Sequence, residues 1–268
     1  MNRMESIQVS LSFMKITLLK FLSATCAIAC LIPGPAVAAP SEPALNPKAL
    51  ASLKRMSDTL ASAKAFTYRS RAIFEVPAKN GQFLTMFSNA EVALKRPNML
   101  RGKMTGEAPH FNFFYDGASV SAFAPGTNVY STTKAPGTID AMLPALEEET
   151  GIRFVTAPLL FSNPYRVFSR KLTSALLVGP SMVHGTLCEH LAFRAPGINW
   201  EIWVESNPRA LPRRLAVTFT DRPNFPRTLV EFSSWNLHPW LGTGDFVFRA
   251  PRGATEIPFG SVLKSTGR

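Results

Sequence analysis

From Ala65 to Val76 the side chains change character at every second position: Phe66, Tyr68, Ala72, Phe74 and Val76 alternate with Thr67, Arg69, Arg71 and Glu75, and Ile73 alone breaks the rule. A helix repeats every 3.6 residues, so this period of two demands a strand with one dry face and one wet face. Such a strand is not stable alone and must pair. The chain supplies partners at 82–95, 99–105, 110–116, 119–124 and 128–133, separated by the turn formers Arg96-Pro97, Asp116-Gly117 and Pro125-Gly126. Consecutive strands joined by such short turns form an antiparallel meander. A second series reads as strands at 174–184, 186–194, 199–205, 214–220, 228–233 and 245–249, with Leu215, Val217 and Phe219 against Arg214, Thr218 and Thr220 as the clearest alternation.

Helical signals lie before and between the two series. Asn46 followed by Pro47 is an N-cap and first-position pair, and Leu50, Leu53 and Leu60 follow near helical spacing with Lys54, Arg55 and Asp58 opposite. A helical insertion is expected at about 138–173. Its first part is 138–151, where Pro144 should kink or restart the helix, and its second starts at Asn163-Pro164 with Tyr165, Phe168 and Leu172 at spacings of three and four. No solenoid-type repeat is visible. The fold class expected is mainly β (α+β): a curved antiparallel sheet or half-open β-barrel covered by helices. Phe113 and Phe114 are consecutive, as are Ile202 and Trp203, so these strands carry bulky apolar groups on both faces. A concave apolar surface crossed by helices would use them, and such a surface can also hold an apolar ligand.

The first 38 residues read as a cleavable secretory signal: Arg3 and Lys15 in the leader, an apolar stretch at 21–32, Pro33-Gly34-Pro35, and Ala36-Val37-Ala38 before a cut at Ala39. The apolar stretch is too short to favour a retained membrane span. Cys26 and Cys30 fall inside it, and lipid anchoring at Cys30 is not expected, because Ala27 stands where an acylation site has Leu and Leu31-Ile32 would follow the lipid. A linker at 39–45 leads into one domain at 46–268. Only Cys188 remains after cleavage, so no internal disulfide can form and stability must come from packing, which suits a bacterial periplasm.

The formal net charge is +11, and the leader carries only Arg3, Lys15 and Lys20 against Glu5, so a positive excess survives cleavage. With no Lys/Arg block anywhere, scattered solvated charges account for it. An anionic membrane surface is the partner such an excess would next suggest, and nucleic acid is not expected, since export removes the chain from it and no recognition motif is present.

Catalytic chemistry finds little support. Cys188 and His190 lie two apart on an expected strand and share a face, but no third orienting group can be assigned, and a lone buried Cys behaves as a small hydrophobe. His110, His184 and His238 have no ligand spacing, so neither a metal nor a cofactor is expected. Glu147-Glu148-Glu149 sit at a helix end on different faces, and Ser162 lies in no Gly-x-Ser-x-Gly elbow.

From Phe114 to Trp235 the chain resembles the predicted periplasmic proteins of the DUF2092 family. The resemblance rests on Tyr115-Asp116-Gly117, Gly151-Ile152-Arg153, Asn163-Pro164-Tyr165, the run from Gly185 to Arg194, Trp200-Glu201-Ile202-Trp203-Val204, Leu211-Pro212-Arg213-Arg214-Leu215 and Trp235-Asn236. The ending Phe246-x-Phe248-x-x-Pro251-x-Gly253-Ala254 is similar to the last strand of periplasmic lipoprotein carriers of the LolA/LolB type. That similarity implies a half-open barrel whose apolar concave face, covered by helices, receives acyl chains. The family implies no enzymatic activity that can be carried to particular residues.

The expectation is therefore a non-enzymatic, monomeric periplasmic protein holding a lipid, lipoprotein acyl chain or other apolar ligand. Strand parity selects Phe66, Tyr68, Phe74, Phe113, Tyr115, Trp200, Ile202 and Val204 as liners. The competing readings are an envelope scaffold with a filled core, using exposed edges or Trp203 and Trp240 as contacts, and a Cys188–His190 hydrolase.

Overall fold

The computed structural model describes residues 45–107, 110–152 and 154–259. The expected signal segment with Cys26 and Cys30, most of the linker, and Arg153 lie outside these residues. Helix α1, Pro47–Ser62, starts as its sequence requires: the Asn46 side chain accepts hydrogen bonds from the amides of Lys48 and Ala49 at 2.9 and 3.2 Å, with Pro47 in the first turn. Its buried stripe is Ala49, Leu53, Met56 and Leu60, while Leu50 lies half-buried at the margin.

The first meander follows as β1 (Ala65–Pro77), β2 (Phe83–Lys95), β3 (Met99–Gly106), β4 (Phe111–Tyr115), β5 (Ser119–Ala124) and β6 (Val129–Lys134). The insertion comprises α2 (Ile139–Thr150), a 3-10 turn at Ala157–Leu160 and α3 (Pro164–Phe168), capped by Asn163. Helix α2 contains Pro144 and does not restart there. The ring removes one hydrogen bond close to the N-terminus, and the Thr138 cap together with burial of Ile139, Met142, Leu143 and Leu146 outweighs it. Gly151 ends the helix in the left-handed region at φ 70°, its amide donating to the Glu147 carbonyl at 2.8 Å. Leu172, expected in the second helix, lies beyond it.

The second meander is β7 (Ser174–Val183), β8 (Thr186–Ala195), β9 (Ile198–Glu205), β10 (Pro212–Phe219) and β11 (Arg227–Asn236). The strands form one 12-stranded sheet in the order β12-β6-β5-β4-β3-β2-β1-β11-β10-β9-β8-β7, where β12 is Thr255–Glu256. All pairs are antiparallel except β12–β6. The meanders join where β1 pairs with β11, from Phe74↔Thr228 to Ser70↔Phe232. The main core lies on one face of the sheet, between it and the helices. Arg96, at the β2–β3 turn, donates to the carbonyls of Leu60 and Leu160 at 3.2 and 3.1 Å, tying α1 and the 3-10 turn to the sheet.

The expected strand at 245–249 is corrected. Thr243–Phe246 forms a 3-10 turn, and the segment after it crosses the other face of the sheet, where Phe248 packs on Phe114, Phe123 and Tyr130 at ring distances of 5.5, 5.9 and 5.3 Å. Phe248 thus belongs to a strap that buries its ring without a backbone ladder. This strap accounts for the bulky Phe114 next to Phe113. A smaller outer cluster of Val183, Cys188, Trp203 and Ala216 accounts for Trp203 next to Ile202.

Candidate functional site

Cross-strand register decides where the core is full and where it is open. In the row Phe66, Leu94, Leu100 and Tyr115, four large side chains meet across β1 to β4 and all are buried. Beside them Phe66, Tyr68, Phe232 and Trp235 form an aromatic plug, with Tyr68 and Trp235 rings 4.6 Å apart and the Trp235 indole N–H donating to the Pro212 carbonyl at 2.9 Å. Farther toward the β1–β2 hairpin the facing residues shrink: Ser70 opposite Ala90, then Ala72 opposite Ser88. Side chains this short do not reach the helices, and a cavity of about 830 Å³ opens above them.

The roof of the cavity is Leu143 and Leu146 of α2 and the segment from Phe154 to Ala157 with Leu160. Its mouth lies between the β1–β2 hairpin, at Val76, Pro77, Gly81 and Phe83, and the β10–β11 hairpin, at Arg222, Pro223, Asn224 and Pro226. Polar groups are sparse. The Tyr68 hydroxyl is hydrogen-bonded to Thr156, and burial pushes its pKa well above the usual tyrosine value. Among the described lining residues the single carboxylate is Glu75, which accepts the Arg227 amide at 3.4 Å, and no His or Cys is present. The lining offers shape and apolar surface but no acid–base pair.

A second cavity of about 650 Å³ lies under the same segment on the β9–β10 side, against Trp200, Leu215, Val217 and Phe168. Leu143, Leu146, Phe154, Val155, Ala157 and Phe219 wall both cavities.

A family model described as predicted periplasmic protein (DUF2092) matches residues 49–260. The chain belongs to the DUF2092 family. No curated protein matches it. Among solved structures the DUF2092 chain is similar to the lipoprotein LppX of Mycobacterium tuberculosis, with 14% identity, a TM-score of 0.46, and coverage of 71% of this chain and 96% of that one. It is also similar to an uncharacterized conserved protein from Thermus thermophilus, at 11% identity, TM-score 0.46, and 78% and 98% coverage. A LolA superfamily protein from Nitrosomonas europaea gives 10% identity, TM-score 0.39, and 75% and 97% coverage.

Of the liners selected by parity in this DUF2092 chain, Tyr68, Phe74 and Phe113 border the larger cavity and Trp200 the smaller, stacked on Phe193 at 4.1 Å. Phe66, Tyr115, Ile202 and Val204 border neither cavity. They point to the core face but are fully packed, and the Tyr115 hydroxyl donates to the Pro136 carbonyl. Parity picked large residues, whereas the floor of the larger cavity is made of small ones, because open space requires small residues. The signal was present in the alternation itself, at Ser70, Ala72, Ser88 and Ala90.

The outer face carries the remaining titratable groups. Cys188 is fully buried, its thiol donates to the Thr186 carbonyl at 3.5 Å, and burial with the nearby Glu205 pushes its pKa up, partly offset by Arg213 and Arg214. His190 is engaged by Glu201 at 2.8 Å and stacked on Trp203 at 4.0 Å. A buried, protonated thiol bonded to a carbonyl is no nucleophile, so the geometry gives the Cys188–His190 pair no catalytic arrangement. Trp203 is 8% exposed and is no free contact surface, whereas Trp240 is 96% exposed. Some of the basic charge is paired across the outer face, as Arg69–Glu91, Arg214–Glu231 and Arg227–Glu201. Among the described residues no group of three or more His, Cys, Asp or Glu could hold a metal ion, and no helix is long and apolar enough to cross a membrane.

Proposed function

We propose that this protein is a non-enzymatic periplasmic binding protein whose larger cavity holds a lipid, a lipoprotein acyl chain or another apolar ligand. One observation carries the reading: about 830 Å³ of space between sheet and helices, floored by Ser70, Ala72, Ser88 and Ala90 and walled by Tyr68, Phe74 and Phe113. A sheet built only for stability would fill that volume, since unfilled apolar space costs packing energy. The size falls in the range of roughly 300–1,000 Å³ typical of small-molecule sites. The family's description as predicted periplasmic and the signal-like leader support the compartment. Lys79 and Arg222, both exposed near the mouth, suit an approach to an anionic membrane surface.

The test is native mass spectrometry, with lipid extraction, on protein purified from cells without detergent. A stoichiometric apolar adduct is expected, lost on delipidation and regained with envelope lipids. A bare mass that stays bare after incubation with those lipids refutes the reading.

A further inference from the structure

The two cavities adjoin as two limbs that share the walls Leu143, Leu146, Phe154, Val155, Ala157 and Phe219. The segment from Phe154 to Ala157 runs between them, and Phe219, at the end of β10, is wall to both. Both limbs also reach the same end of the sheet. The larger opens between the β1–β2 and β10–β11 hairpins, and the smaller reaches Ala195 and Ile198, which flank the β8–β9 turn. These ends are neighbours, because Ile198 pairs with Phe219 and the Phe219 amide donates to the Pro226 carbonyl at 3.1 Å.

Arg222 lines the larger limb and covers Phe219, the wall common to both. Its guanidinium lies 4.2 Å from the centre of the Phe219 ring, its side chain is exposed, and it forms no ion pair among the described residues. The neighbouring Asp221 carboxylate lies against Gly197 in the β8–β9 turn, at the end of the smaller limb. A cation thus sits beside the wall common to two largely apolar limbs, the smaller of which is also lined by Glu147, Glu148 and Arg170.

We propose that the ligand is an amphiphile with two hydrocarbon chains and an anionic head, one chain entering each limb and the head meeting Arg222. This rests on the apolar-ligand reading above and narrows it. A single chain would leave one limb empty, whereas a diacyl lipid presents two chains joined at a charged head, matching two adjoining limbs with a cation beside their common wall.

The experiment titrates delipidated protein by native mass spectrometry with phosphatidylglycerol, its one-chain lyso form, and zwitterionic phosphatidylcholine. Wild type is expected to prefer phosphatidylglycerol to the lyso form by about tenfold or more. Ile198→Trp and Val217→Trp each place a bulky ring in the smaller limb. They are expected to reduce phosphatidylglycerol binding to the level of the lyso form and leave the lyso form unaffected. Ile198 is half-buried at the end of the smaller limb, so its variant remains informative if the buried Val217 site fails to fold. Arg222→Ala is expected to remove the preference for phosphatidylglycerol over phosphatidylcholine, and inorganic phosphate, which has the charge without the chains, is expected to displace nothing. Equal binding of one-chain and two-chain lipids, unaltered by either Trp substitution, overturns the two-chain assignment while leaving the apolar-ligand reading intact. Displacement by inorganic phosphate overturns the assignment of Arg222 to a lipid head. Failure of every lipid to bind overturns both readings.

Discussion

Replacing Ala72 by Leu separates an open cavity from a packed core by the sign of its effect. Ala72 lies on the core face between Ser88 of β2 and Val230 of β11 and is half-buried. The substitution adds three carbons, worth about 0.8 kcal/mol each when fully buried, so a half-buried site gains about 1 kcal/mol. Ala122 supplies the comparison. It points to the same face from β5 beside Phe113 and Ser131, is 1% exposed, and borders neither cavity. Leu at that position must displace its neighbours, at a cost of about 1–3 kcal/mol. The variants should therefore differ by about 2–4 kcal/mol, which for a domain of this size is roughly 4 to 16 °C in Tm. The assay is thermal and urea unfolding of delipidated protein, with ligand uptake measured in parallel. Ala72→Leu should match or exceed wild type in stability while binding less ligand, and Ala122→Leu should lose stability. If Ala72→Leu destabilises as much as Ala122→Leu, the floor is packed and the cavity argument fails.

Arg96→Ala should lower stability by about 2–3 kcal/mol in urea, through loss of charged hydrogen bonds to two helix-end carbonyls, and Arg96→Lys should restore less than half, because a single ammonium cannot span both acceptors. Acid should weaken the fold through Asp116 and Glu231. Burial pushes both carboxyls up, but the amides of Ala118 and Ser119 around Asp116, and Arg214 with His184 beside Glu231, hold them below their usual values overall. Stability from such groups is present above the unfolded-state pKa and lost as pH falls through the depressed folded values. Asp116→Asn and Glu231→Gln should therefore flatten urea midpoints between neutral pH and about pH 3, and an unchanged slope would refute the assignment. Cys188→Ala should leave ligand uptake unchanged, and the native thiol should resist iodoacetamide until the protein unfolds; rapid modification of the folded protein would contradict its burial.

The strands were legible because a sheet with a dry face and a wet face writes its period directly into the sequence, as at Phe66 to Val76. Asn46-Pro47 and Asn163-Pro164 were equally legible, since caps act through local hydrogen bonds. The misreadings have a common cause in tertiary context. Pro144 is tolerated because burial of its neighbours outweighs one lost bond, and Phe246 is buried in a 3-10 turn while Phe248 packs on Phe114, Phe123 and Tyr130 without a ladder. The candidate site was half legible. Parity placed Tyr68, Phe74 and Phe113 on the correct face, but separating a cavity wall from solid core requires knowing which residues stand opposite one another. Phe66 meets Leu94 and packs solid, whereas Ala72 meets Ser88 and leaves space.

The junction of β1 with β11 has a consequence in time. As the chain emerges from its N-terminus, β1 can pair with β2 immediately, but its other edge must wait for residues near Val230 in the last strand of the second meander. Closing so long a loop is slow, and meanwhile the first meander presents a bare strand edge to any passing partner. A chain cut short before residue 227 keeps that edge permanently, and should aggregate even though its first six strands are intact.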